Sequence, residues 1–159
     1  MNSTTIEQLF KFDQNVEVIH SLMESEDLYV VLKVCSTHAR CPGCKHLSSR
    51  RHSRYARKAD DLSVSDRSVH LTILLHKWFC VNAKCEIKIF TERLDWLQPS
   101  GRKTTRLEKL IRHIGFSNNC LVAEKVCRKM GISISHDAIL YRVKKEVSAP
   151  SSYCPFRGD

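Results

Sequence analysis

Two cysteine pairs constrain this chain more than anything else in it. Cys41-Pro42-Gly43-Cys44 and Cys80-Val81-Asn82-Ala83-Lys84-Cys85 present four thiols in two closely spaced couples. A Cys-x-x-Cys with Pro and Gly inside is a tight knuckle: the turn aims both sulfurs at one spot, and backbone N–H groups can support the thiolates. Four thiolates complete tetrahedral zinc and leave no position for water. The spacing therefore predicts a structural Zn2+ site made by Cys41, Cys44, Cys80 and Cys85, not a catalytic one. Each knuckle lies beside a candidate strand, as in a zinc ribbon. Cys35 with His38 forms a competing close pair, and His46 or His52 could replace one thiol; a histidine in a basic strip more often faces solvent or phosphate. Cys120, Cys127 and Cys154 lack partners at ligand spacing, and Cys127 reads as a buried thiol on a helix's inner face.

The compartment supports metal over disulfides. No stretch approaches the ~20 apolar residues of a membrane span, and Met1–Phe10 lacks a basic region followed by an apolar core. The chain is expected to be cytoplasmic, without a membrane partner, so its eight cysteines read as ligands or buried thiols. A hydrophobic content of 42% implies a modest core that a metal would help to hold. With 26 Lys and Arg against 17 Asp and Glu, the formal charge is +9, which favours polyanionic partners.

The organisation changes character once. Asn15–Leu22 and Leu28–Val34 are rich in Val, Ile and Leu around the polar turn Glu24-Ser25-Glu26-Asp27, an N-terminal β hairpin. Ser68–Leu75 and Ile87–Phe90 are further strand candidates. After Pro99-Ser100-Gly101 the pattern becomes helical. Thr105 and Glu108 stand at capping-box spacing, opening a helix that carries Leu107, Leu110, Ile111 and Ile114 and ends at Gly115. A second helix runs from about Asn119 to Met130 and stops at Gly131; a third starts at the N-cap Ser135 and carries Ile139, Leu140 and Val143. The expected fold is α+β: a small β-rich zinc ribbon over residues 1–98, a three-helix helix-turn-helix over 102–147, and a tail over 148–159.

Two features point to DNA. Helix two, Gly131 and helix three make a helix-turn-helix in which His136, Asp137, Tyr141, Arg142, Lys144 and Lys145 fall off the core positions. Its first turn can reach base edges and its later residues phosphates, with His136, Asp137 and Arg142 expected nearest the bases. Independently, Arg40–Lys58 holds seven Lys and Arg and no acid. Within it, Arg50, Arg51, Arg54, Tyr55, Arg57 and Lys58 combine guanidinium groups with hydroxyls and a ring, a mixture suited to phosphates. Asp60 and Asp61 are read as closing this strip with local salt bridges or capping the next turn.

The order of these parts resembles the N-terminal region of insertion-sequence transposases of the ISL-three family. The resemblance rests on Cys41-Pro42-Gly43-Cys44, His52-Ser53-Arg54-Tyr55-Ala56-Arg57 with Asp61-Leu62, Phe79-Cys80 to Cys85, Phe90-Thr91-Glu92, and the helices around Gly131-Ile132 and Ser135-His136-Asp137. It spans roughly Val30 to Lys145. It implies a zinc ribbon and helix-turn-helix that recognise the terminal inverted repeats of an insertion sequence as double-stranded DNA. In that family a following RNase H-like domain with magnesium-binding acids cuts and joins strands. Gly158-Asp159 falls about where the first catalytic aspartate motif would begin, so this chain is expected to bind DNA without catalysing transposition. The chain departs from the family pattern at Ser63-Val64-Ser65-Asp66, without the usual Pro and Gly, and at His76-Lys77-Trp78, which is not arginine-rich. A zinc-ribbon/helix-turn-helix transcriptional regulator is the alternative reading, a zinc-stabilised protein-interaction module a further one, and a homodimer stays open.

Overall fold

Alternation of apolar residues builds the first part of the molecule. The computed structural model describes Phe10, Phe12 and residues 15–147; the expected tail and Cys154 lie outside the described residues. Strands β1 (Val16–Glu24), β2 (Asp27–Val34), β5 (Arg51–Val64) and β6 (Arg67–Phe79) form a sheet in the order β1-β2-β6-β5, with β7 (Ile89–Thr91) also pairing β6. The pairs β1/β2, β5/β6 and β6/β7 are antiparallel, whereas β2/β6 is parallel. A separate small hairpin joins β3 (Ala39–Arg40) to β4 (Leu47–Ser48).

The sequence alternation of β6 survives as burial: Val69, Leu71, Ile73 and Leu75 are buried and their neighbours partly exposed. They pack with Leu28, Val30, Leu32 and Val34 of β2, since both strands present one face of the pleat to the same core. Phe10 and Leu97 close that core, with Phe12, Leu94 and Trp96 packed at its margin. Phe10 stacks on Phe12 and Phe12 tilts against Trp96, with centroids 5.2 and 5.0 Å apart.

One strand departs from expectation. The basic strip is the first half of β5, which hydrogen bonds to β6 from Arg51↔Trp78 to Val64↔Arg67. Ser65 and Asp66 turn the chain between these strands with φ of 51° and 62°. Two successive positive φ values are what a two-residue hairpin of right-twisted strands requires, here without glycine.

The helices are α1 (Thr105–Ser117), α2 (Cys120–Lys129) and α3 (His136–Val147). Their caps follow local chemistry. Thr104, not Thr105, caps α1: its Oγ1 accepts from Leu107 N at 3.4 Å. Gly115 does not end α1, which continues to Ser117. The glycine instead marks a close approach, because a Cβ there would lie 2.7 Å from Ile139 Cγ2. Asn119 caps α2 by accepting from Val122 N at 3.0 Å, and Ser135 Oγ accepts from Ala138 N at 3.3 Å at the start of α3. The chain divides into two compact units between Leu107 and Glu108, within α1 rather than at the expected break between 98 and 102. No helix among the described residues is long and apolar enough to cross a membrane.

Candidate metal centre and basic elements

The β3–β4 hairpin builds the first knuckle. Cys41 N donates to His46 O and Lys45 N to Cys41 O, both at 2.9 Å, and Lys45 takes a left-handed φ of 63° to complete the turn. The second knuckle follows β6, where Cys80 N donates to Lys88 O at 2.8 Å. Asn82 Oδ1 accepts from Lys84 N at 3.0 Å and Lys88 Nζ donates to Cys85 O at 2.8 Å, so side chains fix this wider loop.

The four sulfurs converge. Cys41 Sγ lies 3.8 Å from Cys85 Sγ and Cys44 Sγ 3.5 Å from Cys80 Sγ, and all four fall within 4.8 Å of one another. Tetrahedral Zn–S bonds of ~2.3 Å put ligand sulfurs ~3.8 Å apart, whereas a disulfide needs about 2.05 Å. The arrangement thus fits a metal ion such as zinc and not two disulfides.

The electrostatics agree with that donor set. A backbone N–H from His46 holds the Cys44 thiol well down, at about 6, while burial pushes Cys80 up to about 12 and raises Cys85. Backbone N–H groups of Asn82 and Ile87 oppose those rises at Cys80 and Cys85. Thus three of the four sulfurs receive an N–H from two residues further on, the support that knuckle thiolates need. A divalent cation at the centre would favour the thiolate form of all four. Cys41, Cys85, Trp78, Phe90 and Ala39 form one buried cluster around the site.

The competing ligands stay apart: among the described residues only these four cysteines form a group of three or more able to hold a metal. His46 Nδ1 lies 3.3 Å from Cys44 O, His52 pairs with Ser53 Oγ at 2.8 Å, His38 with Thr37, and Cys35 Sγ reaches Lys33 O. Cys127 is fully buried in α2, as expected.

The basic strip is divided by the pleat. Tyr55 and Arg57 stand opposite the buried Leu75 and Ile73, while Arg54 and Lys58 stand opposite His76 and Thr72 on the other face. Several cations are already engaged. Arg51 donates to Ser36 O at 2.8 Å and lies over the Trp78 ring, and Arg50 lies over Phe79. Arg57 Nη2 donates to Gln98 O and Gly101 O at 2.9 and 2.6 Å, and burial lowers its pKa. Arg54 and Lys58 are exposed. Asp60 and Asp61 pair with distant residues rather than with strip arginines. Asp60 meets His70 and Lys103, and Asp61 meets Thr104 and Arg106.

In the second unit Ala123, Cys127, Ile132 and Ile139 are buried where α2, the Gly131 turn and α3 meet. Gly131 has φ 70°. Glu124, which no sequence motif marks, accepts from His136 N at 3.0 Å and pairs with its ring at 2.9 Å. Those bonds hold the Glu124 carboxyl below its usual value. Arg142 is also committed: it forms two 2.8 Å bonds to Glu108 and another to Ala138 O. Asp137, Tyr141, Lys144 and Lys145 are exposed, Tyr141 at 65%. Comparison with family models, curated proteins and solved structures finds no match.

Proposed function

We propose that this chain is a zinc-stabilised DNA-binding protein, the end-recognising part of an insertion-sequence transposase. Zn2+ held by Cys41, Cys44, Cys80 and Cys85 would be structural, since four thiolates leave no position for a reacting water. The observation that carries the DNA reading is the α2–turn–α3 pair. A left-handed Gly131, a buried Ile132 and a capped α3 whose inner side is buried at Ile139 leave Asp137, Tyr141, Lys144 and Lys145 outward. That is the arrangement by which a recognition helix enters a major groove. With His136 and Arg142 held by Glu124 and Glu108, base contacts fall to Asp137 and Tyr141, and Lys144 and Lys145 supply phosphate contacts. Arg54 and Lys58 add cations from the exposed face of β5. The resemblance of the cysteine pairs and following motifs to the ISL-three family supports the inverted-repeat target.

The test is fluorescence anisotropy of the zinc-loaded chain with an inverted-repeat duplex and a scrambled duplex of equal length. Preference for the repeat should fall by ~1–3 kcal/mol in Tyr141→Ala, with scrambled binding unchanged. Lys145→Gln should weaken both duplexes alike and lower the salt slope by about 0.9. Equal affinity for the two duplexes in the parent chain would remove the specific reading. Cleavage of either in magnesium would remove the expectation of a binding part alone.

A further inference from the structure

A cleft in the first unit is built differently from a surface that tracks duplex phosphates. It measures about 410 Å3, within the range of small-ligand sites. Tyr55 and Arg57 of β5, Lys77 of β6 and Arg93 just after β7 converge on it. Apolar walls come from Pro42 and Ile87 beside the knuckles, from Ile89, and from Pro99.

The charges in the cleft are unbalanced. Lys77 Nζ sits 5.1 Å from the Tyr55 ring centroid, and Arg57 spends one nitrogen on Gln98 and Gly101 carbonyls. Arg57 and Arg93 both line the cleft, and burial chiefly, with the Arg93 charge adding to it, lowers the Arg57 pKa. Among the described residues no carboxylate pairs with Arg57, Lys77 or Arg93. Glu92 also lines the cleft, but its side chain is 4% exposed and accepts from His76 N at 2.9 Å. Three cations lining a cleft that holds one buried carboxylate, Glu92, leave a positive surplus that attracts an anion. An aromatic ring and apolar walls beside them suit a planar heterocycle, because every nucleobase has a face that stacks.

We infer that this cleft binds a single phosphorylated nucleoside, the base against Tyr55 and the apolar walls and the phosphate between Lys77 and Arg93. The inference rests on the proposed nucleic-acid reading only for its choice of chemistry. It assigns Tyr55 and Arg57 to one nucleotide instead of to a duplex backbone. The nucleotide can come free or as part of a single strand.

The experiment titrates the zinc-loaded full chain against a labelled six-residue oligothymidylate, with thymidine monophosphate and inorganic phosphate as competitors. Tyr55→Leu keeps apolar bulk and loses the stacking ring, so it should weaken binding at least about five-fold. Arg93→Gln should weaken binding and flatten the single-strand salt slope by about 0.7. Competition by the monophosphate identifies the free nucleotide as the source; displacement only by oligonucleotide identifies the strand. The inference is overturned if both variants bind as the parent does, or if inorganic phosphate displaces the probe as well as the monophosphate. Tryptophan emission checks that each variant is folded, and Lys77→Gln is the substitute where one is not. A parent that binds the oligonucleotide and ignores every duplex keeps this inference and loses the proposed function; the reverse result does the opposite.

Discussion

Asp61→Asn should cost the first unit about 2 kcal/mol, and the figure can be built from its contacts. The carboxylate is fully buried and accepts Thr104 Oγ1 at 2.6 Å, Arg106 Nε at 2.7 Å, Arg106 Nη2, and Leu62 N at 2.9 Å. Asparagine preserves the shape and one acceptor, but its amide nitrogen meets a guanidinium or an N–H, donor against donor. One hydrogen bond to a charged group contributes about 1.5–3 kcal/mol. The upper part of that range is discounted because the Arg106 side chain is 38% exposed and can turn to water. Arg106→Gln should cost about 2–3 kcal/mol, since it strands a buried carboxylate, and the double variant should show coupling of about 1–2 kcal/mol. Urea unfolding followed by tryptophan emission is the assay. The chain has two tryptophans, Trp78 and Trp96, both in the first unit, so the signal reports that unit alone. A change under about 0.5 kcal/mol in Asp61→Asn, or strict additivity in the cycle, would show that the buried pair does not hold β5 to the start of α1.

Metal removal should be the largest perturbation: structural zinc contributes ~10–16 kcal/mol in small sites, so chelation should shift Trp78 emission to that of an unfolded chain while α2 and α3 keep their ellipticity. Gly115→Ala should destabilise the second unit by about 1–3 kcal/mol, read by thermal melts at 222 nm, because the added methyl meets Ile139 Cγ2 at 2.7 Å and Val143 Cγ2 at 3.1 Å. Glu124 has a depressed folded pKa, so its contribution is fully present above its ordinary value of about 4.5 and is lost as pH falls through the lower folded value; helical ellipticity should show that acid loss, and Glu124→Gln should abolish it. Arg142→Gln should lower the second unit's melting temperature while leaving DNA affinity per folded molecule unchanged, as anisotropy on thermally checked samples would show.

The parts legible in the sequence are those with one dominant signal. β2 and β6 were readable because alternating Val, Leu and Ile state which face is buried. The four cysteines were readable because ligand spacing is local. β5 was not, because Arg51–Lys58 is polar on both faces and itself little buried although it runs beside the buried Ile73, Leu75 and Trp78; its strand state comes from β6 pairing, which no local pattern records. The α1 cap was misplaced by one residue for a similar reason. Thr105 fits the box spacing, but Thr104 is tied to Asp61 and thereby set at the cap, and Glu108 bonds to Arg142.

The same tertiary pull changes what the positive charge means. A formal +9 suggests a broad cationic surface, yet many of the guanidinium groups have internal work. Arg51 and Arg57 tie strand β5 to backbone carbonyls, Arg106 neutralises the buried Asp61, and Arg142 bridges α3 to Glu108. Arginine suits these places because its planar fork satisfies several acceptors while staying charged. Other cations stay exposed, Arg54 and Lys58 on β5 and Lys144 and Lys145 on α3 among them. Counterion release follows contacts with phosphate, not formal charge. If those four alone met phosphate in the proposed complex, the duplex salt slope would be about −3.6. In the proposed complex, discrimination would then rest with the few side chains, Asp137 and Tyr141 first, that the α3 cap and the Glu124 clamp hold in place.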